Sequence, residues 1–300
     1  MGLFLCSDLP IETMQKYLSL VKFSHTIFAL PFALLGFFLG IHQDNINYKW
    51  EILLLVILCM VFARSAAMAF NRYADRYIDS KNPRTSEREI PAGQISPQHA
   101  IVFVLINSVA FIICCYFINK LCFYLSPIAL LITLGYSYTK RFTSMCHVIL
   151  GLGLSLAPIG AFVAATGYFQ LIPLLYSAVV LFWVAGFDII YALQDDEFDL
   201  KNSLKSIPSS LGKKKALLVS RVFHILSAIF LVMAALHLNS SLSSFSWLHM
   251  IAVAVFISLL VFQHSLVKVN DLSKINLAFF TTNGVASILF CSLVIIDFYI

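Results

Sequence analysis

Charge is what this 300-residue sequence has least of: Asp, Glu, Lys and Arg make up 12% of it, about half the share of an ordinary soluble domain. Too few polar side chains remain to cover a water-soluble core, so a soluble globular fold is excluded, and so is a disordered chain. The seven cysteines, Cys6, Cys59, Cys114, Cys115, Cys122, Cys146 and Cys291, show no CxxC spacing, which removes a disulfide-stapled secreted fold. The eight histidines never recur at i, i+3 or i+4, so no zinc or haem site is suggested. No glycine-rich phosphate loop and no GxSxG elbow occur, and nothing points to nucleic acid as a partner.

What is present is hydrophobic: 60% of the residues, with a mean hydropathy of +0.88. The apolar runs are long enough for membrane helices rather than barrel strands, which need only ~10 residues. Nine runs approach the ~20 residues that cross a bilayer as helix. They lie near 25–41, 52–70, 99–118, 121–138, 148–166, 172–193, 216–236, 248–266 and 278–299, with Pro31, Pro127 and Pro158 inside spans. The expected fold is an all-α integral membrane protein. A single domain over 1–300 forms a nine-helix bundle around a central cavity, with two Asp-rich cytoplasmic loops. The first run follows Asp8 and Glu12 and has no small-residue cleavage site after it, so it reads as a retained span.

Charge asymmetry sets the expected orientation. Sixteen of the twenty Lys and Arg residues fall on the N-terminal side of the membrane, from Lys16 and Lys22 through Lys274. Lys49 and Lys120 fall on the other side, and Arg64 and Arg221 lie within spans. That bias predicts a cytoplasmic N-terminus and an external C-terminus. Lys213–Lys215 equally suit contact with anionic lipid.

The carboxylates are more informative. Nine of fifteen lie in two windows: Asp75, Asp79, Glu87 and Glu89 after span two, and Asp188, Asp195, Asp196, Glu197 and Asp199 closing span six. Four crossings separate the windows, so both open on one side. Asn71, Asp75 and Asp79 recur every four residues, one helix face, and Arg64 extends that stripe toward the bilayer. Asp188, Asp195 and Asp199, spaced seven and four, read as a second stripe. Like charges so placed repel, and a cation should offset the cost. Hard divalent ions prefer carboxylate oxygens, and Mg²⁺ commonly takes its remaining ligands from water and phosphate. Two facing acidic clusters flanked by bases therefore suit a Mg²⁺–diphosphate complex; a solvated loop balanced by its own bases is the plainer alternative.

The motifs resemble those of the UbiA-type membrane prenyltransferases. The first reads Asn71-Arg72-Tyr73-Ala74-Asp75-Arg76-Tyr77-Ile78-Asp79, running on through Arg88 to Pro91-Ala92-Gly93. The second reads Asp188-Ile189-Ile190-Tyr191, then Gln194-Asp195-Asp196-Glu197-Phe198-Asp199, with Lys205-Ser206 and Gly212 downstream. Between them, Tyr136-Ser137-Tyr138-Thr139-Lys140-Arg141 is similar to the family's basic loop. Arg72 departs from the commoner Asp, and is assigned either to diphosphate contact or to a local ion pair.

The resemblance implies transfer of a polyprenyl group from polyprenyl diphosphate to an aromatic acid acceptor, with Mg²⁺ as cofactor and the lipid bilayer as surroundings. It casts Asn71, Asp75, Asp79, Asp195 and Asp199 as metal ligands, and Asp195 with Asp188 as catalytic residues. Arg76, Lys140 and Arg141 become diphosphate contacts. Tyr136 and Tyr191, beside the basic and acidic motifs, are placed at the acceptor. Asp188 either orients or deprotonates the acceptor hydroxyl, or is a buried helix partner. Arg64 is either a clamp for an acceptor carboxylate or a counter-ion to the aspartates. Arg221 and His224 share a face of span seven and read as snorkelling or pairing locally rather than touching substrate. Phe23-Ser24-His25-Thr26-Ile27-Phe28-Ala29-Leu30-Pro31 and the Arg64–Arg88 segment look bacterial in type, which implies the inner membrane. The acceptor expected is of the 4-hydroxybenzoate type, in quinone biosynthesis. A 1,4-dihydroxy-6-naphthoate of a menaquinone route is the near alternative, and an ion-coupled secondary transporter is the alternative from another class.

Overall fold

In a computed structural model of the chain, residues 10–21, 28–43, 50–241 and 247–300 are described. Cys6, Asp8, Lys22, Lys49 and the Phe23–Ile27 part of the Phe23–Pro31 stretch lie outside them. Among the described residues the fold is all helical: α1 (Pro10–Leu20), α2 (Leu30–Gln43), α3 (Trp50–Asp79), α4 (Pro97–Ile118), α5 (Lys120–Thr139) and α6 (Cys146–Thr166). Then come α7 (Leu171–Ala192), α8 (Asp196–Lys201), α9 (Ile207–Leu211), α10 (Lys213–Ser241) and α11 (Trp247–Leu266). A π-helical segment, Leu277–Thr282, leads into α12 (Asn283–Asp297).

Eight of these helices are long and apolar enough to cross a membrane: α3–α7, α10, α11 and the continuous Leu277–Asp297. Eight of the nine expected spans thus have full-length helices. The first coincides with α2, whose 14 described residues rise about 21 Å, short of the ~30 Å hydrocarbon core. Pro31 sits in the first turn of α2, where a missing N–H costs little. Pro127 and Pro158 are interior to α5 and α6, as membrane helices allow.

Local sequence sets the ends. Ser96 Oγ accepts the His99 N–H and Pro97 opens α4; Asn119 Oδ1 accepts the Cys122 N–H at the head of α5. Gly167 closes α6 at φ 84°, a left-handed turn that glycine adopts without strain. Small residues then set how closely helices cross. A Cβ on Gly36 would lie 2.0 Å from the Pro158 carbonyl oxygen, so α2 meets α6 backbone to backbone.

The densest part of the bundle packs α2, α7, α10, α11 and α12 around Phe32, Tyr176, Trp183, Phe256 and Phe290. The buried indole Nε1–H donates to Asn283 Oδ1 at 2.9 Å, so the aromatic centre also carries a polar lock. Outward-facing Tyr124, Leu131 and Val261 are exposed, which is the surface expected of a chain solvated by lipid. On the other side of the bundle an apolar cavity of about 360 Å³ lies among α3, α4, α5 and α6. Ile128 and Phe169 line it while being more than half exposed, so it opens sideways.

Candidate active site

The acidic motifs gather where the segments after α3, α5 and α7 meet at one end of the bundle. Two corrections to the sequence reading come first. Asn71, Asp75 and Asp79 are not on a loop: they occupy the last turns of α3, one helix that runs unbroken from Trp50. The four-residue spacing therefore does put them on one face, and the Asn71 amide donates to Asp75 at 3.3 Å. The second motif is not one continuous stripe. The helix stops at Ala192, Leu193 and Gln194 turn tightly with N–H bonds three residues back, and Asp195 heads the short α8 that carries Asp199. Asp188 thus stays on α7 while Asp195 and Asp199 sit on a separate, redirected element.

Bases from the intervening segments pair with the acids. Lys140 Nζ lies 2.7 Å from Asp75, and Arg141 donates to the other Asp75 oxygen at 3.4 Å and to the Ala74 carbonyl at 2.6 Å. Arg88 Nη1 donates to both oxygens of Asp79 at 2.7 and 2.8 Å. Arg84 reaches across 111 residues to Asp195 through Nε at 2.9 Å and through Nη2, while its Nη1 donates to the Tyr191 hydroxyl at 3.2 Å. Asn82 donates to Asp195 at 3.1 Å and accepts the Arg84 N–H at 3.0 Å. The Lys205 N–H donates to the Lys140 carbonyl at 2.7 Å, tying the basic loop to the second motif. These contacts join both windows into one cluster.

Burial pushes the Asp199 carboxyl above the usual carboxylate range. The Ser206 hydroxyl pulls it back in part, and the Asp195 charge raises it further. Mutual repulsion of that kind is what a bound cation would relieve. Among the described residues no three acidic, thiol or imidazole groups already converge as a metal cage. The donor chemistry nevertheless fits Mg²⁺: hard carboxylate oxygens and one amide, with room for water and phosphate ligands rather than a closed protein shell.

Arg64 and Tyr136 line the polar end of the cavity, and the Tyr136 hydroxyl lies within electrostatic reach of Asp75, Asp188 and Arg64. Arg64 forms no ion pair among the described residues, and its buried Nε has no partner. Tyr191 stacks on Phe279 at 4.1 Å between ring centres. Arg76 is elsewhere: about 100° around the helix from Asp75, its guanidinium lies over Tyr73 and Tyr77 at 4.4 and 4.3 Å and donates to the Tyr73 carbonyl. Arg72 is buried near Asp79, Glu89 and Arg88, with its Nε unpartnered.

Sequence reasoning missed Asn82, Arg84 and His147. Asn82 and Arg84 carried a faint signal, since they follow the first motif directly. His147 carried none, being 41 residues from its partner Asp188. His224, read as a local pair, instead meets His264 across α10 and α11 at 2.9 Å, far along the chain from both acidic motifs.

Comparison with known proteins gives a consistent picture. The family model described as "UbiA prenyltransferase family" matches residues 29–285. A 4-hydroxybenzoate octaprenyltransferase of Vesicomyosocius okutanii subsp. Calyptogena okutanii (strain HA) is 30% identical over 246 residues, 82% of this chain and 88% of that protein. A protein of the same name from Vibrio campbellii is 27% identical over 82% of this chain and 85% of its own length. The apo structure of a UbiA homolog from Aeropyrum pernix K1 superposes with TM-score 0.80 at 29% identity, covering 91% of this chain and 98% of that one. A UbiA homolog from Archaeoglobus fulgidus bound to GPP and Mg²⁺ shares the fold with TM-score 0.71 at 23% identity, over 95% and 100% of the two chains.

Proposed function

As the chain belongs to the UbiA prenyltransferase family, we propose that it transfers a polyprenyl group from its diphosphate to an aromatic acid of the 4-hydroxybenzoate type, with Mg²⁺ as cofactor. Family membership makes it an enzyme and sets the transporter alternative aside. The observation that carries the finer reading is the pairing of Asp75, Asp79 and Asp195 with four bases at the polar end of an apolar, side-opening cavity.

Allylic C–O cleavage separates a carbocation from a diphosphate anion, so the barrier is mainly the separation of charge. Asn71, Asp75, Asp79, Asp195 and Asp199 are the groups that would hold Mg²⁺, which when bound neutralises charge on the leaving diphosphate. Lys140 and Arg141, held beside Asp75, would face the diphosphate oxygens as negative charge grows there, pre-placed donors of the kind that dominate such catalysis. Arg84 and Arg88 join them in this scheme; Arg76, held by Tyr73 and Tyr77, does not. The cavity accepts the prenyl chain from the lipid side and keeps water from the cation. Arg64 clamps the acceptor carboxylate, and Tyr136 and Tyr191 pack about the acceptor. Asp188 takes the phenolic proton as the ring carbon attacks the cation, and returns it to that oxygen as the substituted carbon gives up its own proton to the released diphosphate and the ring regains its aromaticity.

In the membrane, α2 counted as a crossing brings the number to nine. The excess of bases at the active-site end supports a cytoplasmic active site and N-terminus, in a bacterial inner membrane. The test is incubation of the protein in nanodiscs with geranyl diphosphate, Mg²⁺ and a panel of aromatic acids that includes hydroxybenzoates and dihydroxynaphthoates. Product mass is the readout. A prenylated 4-hydroxybenzoate formed only with Mg²⁺ is expected; diphosphate hydrolysis with every acid unmodified would overturn the reading.

A further inference from the structure

His147 stands on the first turn of α6, 3% exposed, with both ring nitrogens engaged. Nδ1 lies 2.7 Å from Asp188 Oδ2 on α7, and Nε2 accepts the Ile207 N–H at 3.3 Å. The second contact fixes the tautomer. Because Nε2 receives a backbone proton it carries none itself, so in the neutral ring the proton is on Nδ1 and is donated to Asp188. Asp188 lies within α7, where its neighbours Phe187 and Ile189 are buried in apolar packing, and its side chain is still 22% exposed. One oxygen is taken by the imidazole; the other has no protein donor among the described residues. The further groups facing it are Tyr136 from α5 and, beside the imidazole, Cys146.

We propose that His147 is the positioning residue for Asp188. Its Nδ1–H fixes one carboxylate oxygen, leaving the second oxygen aimed at the acceptor hydroxyl. The imidazole is not itself the base, since taking a proton at Nε2 would forfeit the Ile207 contact. Through that same contact the ring couples Asp188 to the segment after α8, where Ser206 caps α9 and stands beside Asp199. The placement of the proton acceptor is thereby tied to the element that carries the second acidic motif. This inference rests on the reading of Asp188 as the group that receives the phenolic proton.

The experiment compares Asp188→Asn, His147→Ala and His147→Gln in nanodiscs with geranyl diphosphate and 4-hydroxybenzoate, following kcat and both KM values. For His147→Ala, kcat is expected to fall about 10- to 100-fold, the usual effect of losing an orienting partner, with the KM for geranyl diphosphate unchanged. His147→Gln, whose amide can still donate, is expected to recover most of kcat. Should His147→Ala not fold, His147→Met, which fills the ring volume without a donor, takes its place with the same expectations. An active Asp188→Asn would remove the underlying reading of Asp188. An inactive Asp188→Asn beside a His147→Ala with undiminished kcat, or with a loss that His147→Gln does not recover, would leave that reading and overturn this one.

Discussion

Arg64→Met separates the two roles open to that guanidinium. Arg64 is the one cation lining the described cavity, its Nε is buried without a partner, and it makes no ion pair among the described residues. A counter-ion would behave differently from a substrate clamp in both stability and kinetics. Breaking a buried ion pair typically costs about 3–5 kcal/mol, whereas removing an uncompensated buried charge relieves part of the ~2.5–3.5 kcal/mol that an Arg costs at the bilayer centre. Arg64 lies seven residues inward of Asn71, about 10 Å along α3, so only a part of that figure applies. The thermal midpoint of Arg64→Met in nanodiscs is therefore expected to stay level or rise. Kinetically, charge-assisted hydrogen bonds to a carboxylate contribute about 1.5–3 kcal/mol, or roughly 10- to 150-fold in kcat/KM. Wild-type protein should prefer 4-hydroxybenzoate over phenol by that factor, and Arg64→Met should lose the preference while keeping its slow rate with phenol. Initial rates with both acceptors, read by product mass, decide the matter. A clear fall in thermal midpoint, or an equal loss on both acceptors, would refute the clamp.

Three further outcomes are expected. Asp75→Ala or Asp195→Ala should abolish Mg²⁺-dependent transfer, a loss of at least about 100-fold, with the variant still folded by size-exclusion chromatography; undiminished turnover would sink the metal assignment. Gly36→Ala should lower stability by about 1–3 kcal/mol, because the new methyl meets the Pro158 backbone oxygen 2.0 Å away, where no side chain can yield; an unchanged thermal midpoint would contradict that crossing. Gly153→Phe, on the cavity wall where an added Cβ would lie 3.6 Å from the Thr133 methyl, should raise KM for long prenyl diphosphates far more than for dimethylallyl diphosphate. Equal effects on both would place the chain elsewhere.

The sequence by itself determined the membrane class, the helix count to within one and that both acidic motifs open at the same end of the bundle. Each follows from properties a linear chain carries without its fold: hydropathy over about 20 residues, parity of crossings, and helical spacing. The same spacing failed at Asp188, Asp195 and Asp199, because a period of four says nothing about where a helix stops. Only the packed structure showed α7 ending at Ala192 and α8 setting out anew. It also decided which base meets which acid. The sequence reading chose Arg76 and passed over Arg84, but Arg76 faces two tyrosine rings, while Arg84 spans 111 residues to Asp195. His147 was invisible for the same reason. Pairing of charges and orientation of a carboxylate depend on distances through space, and those are set when helices far apart in the chain are packed against each other.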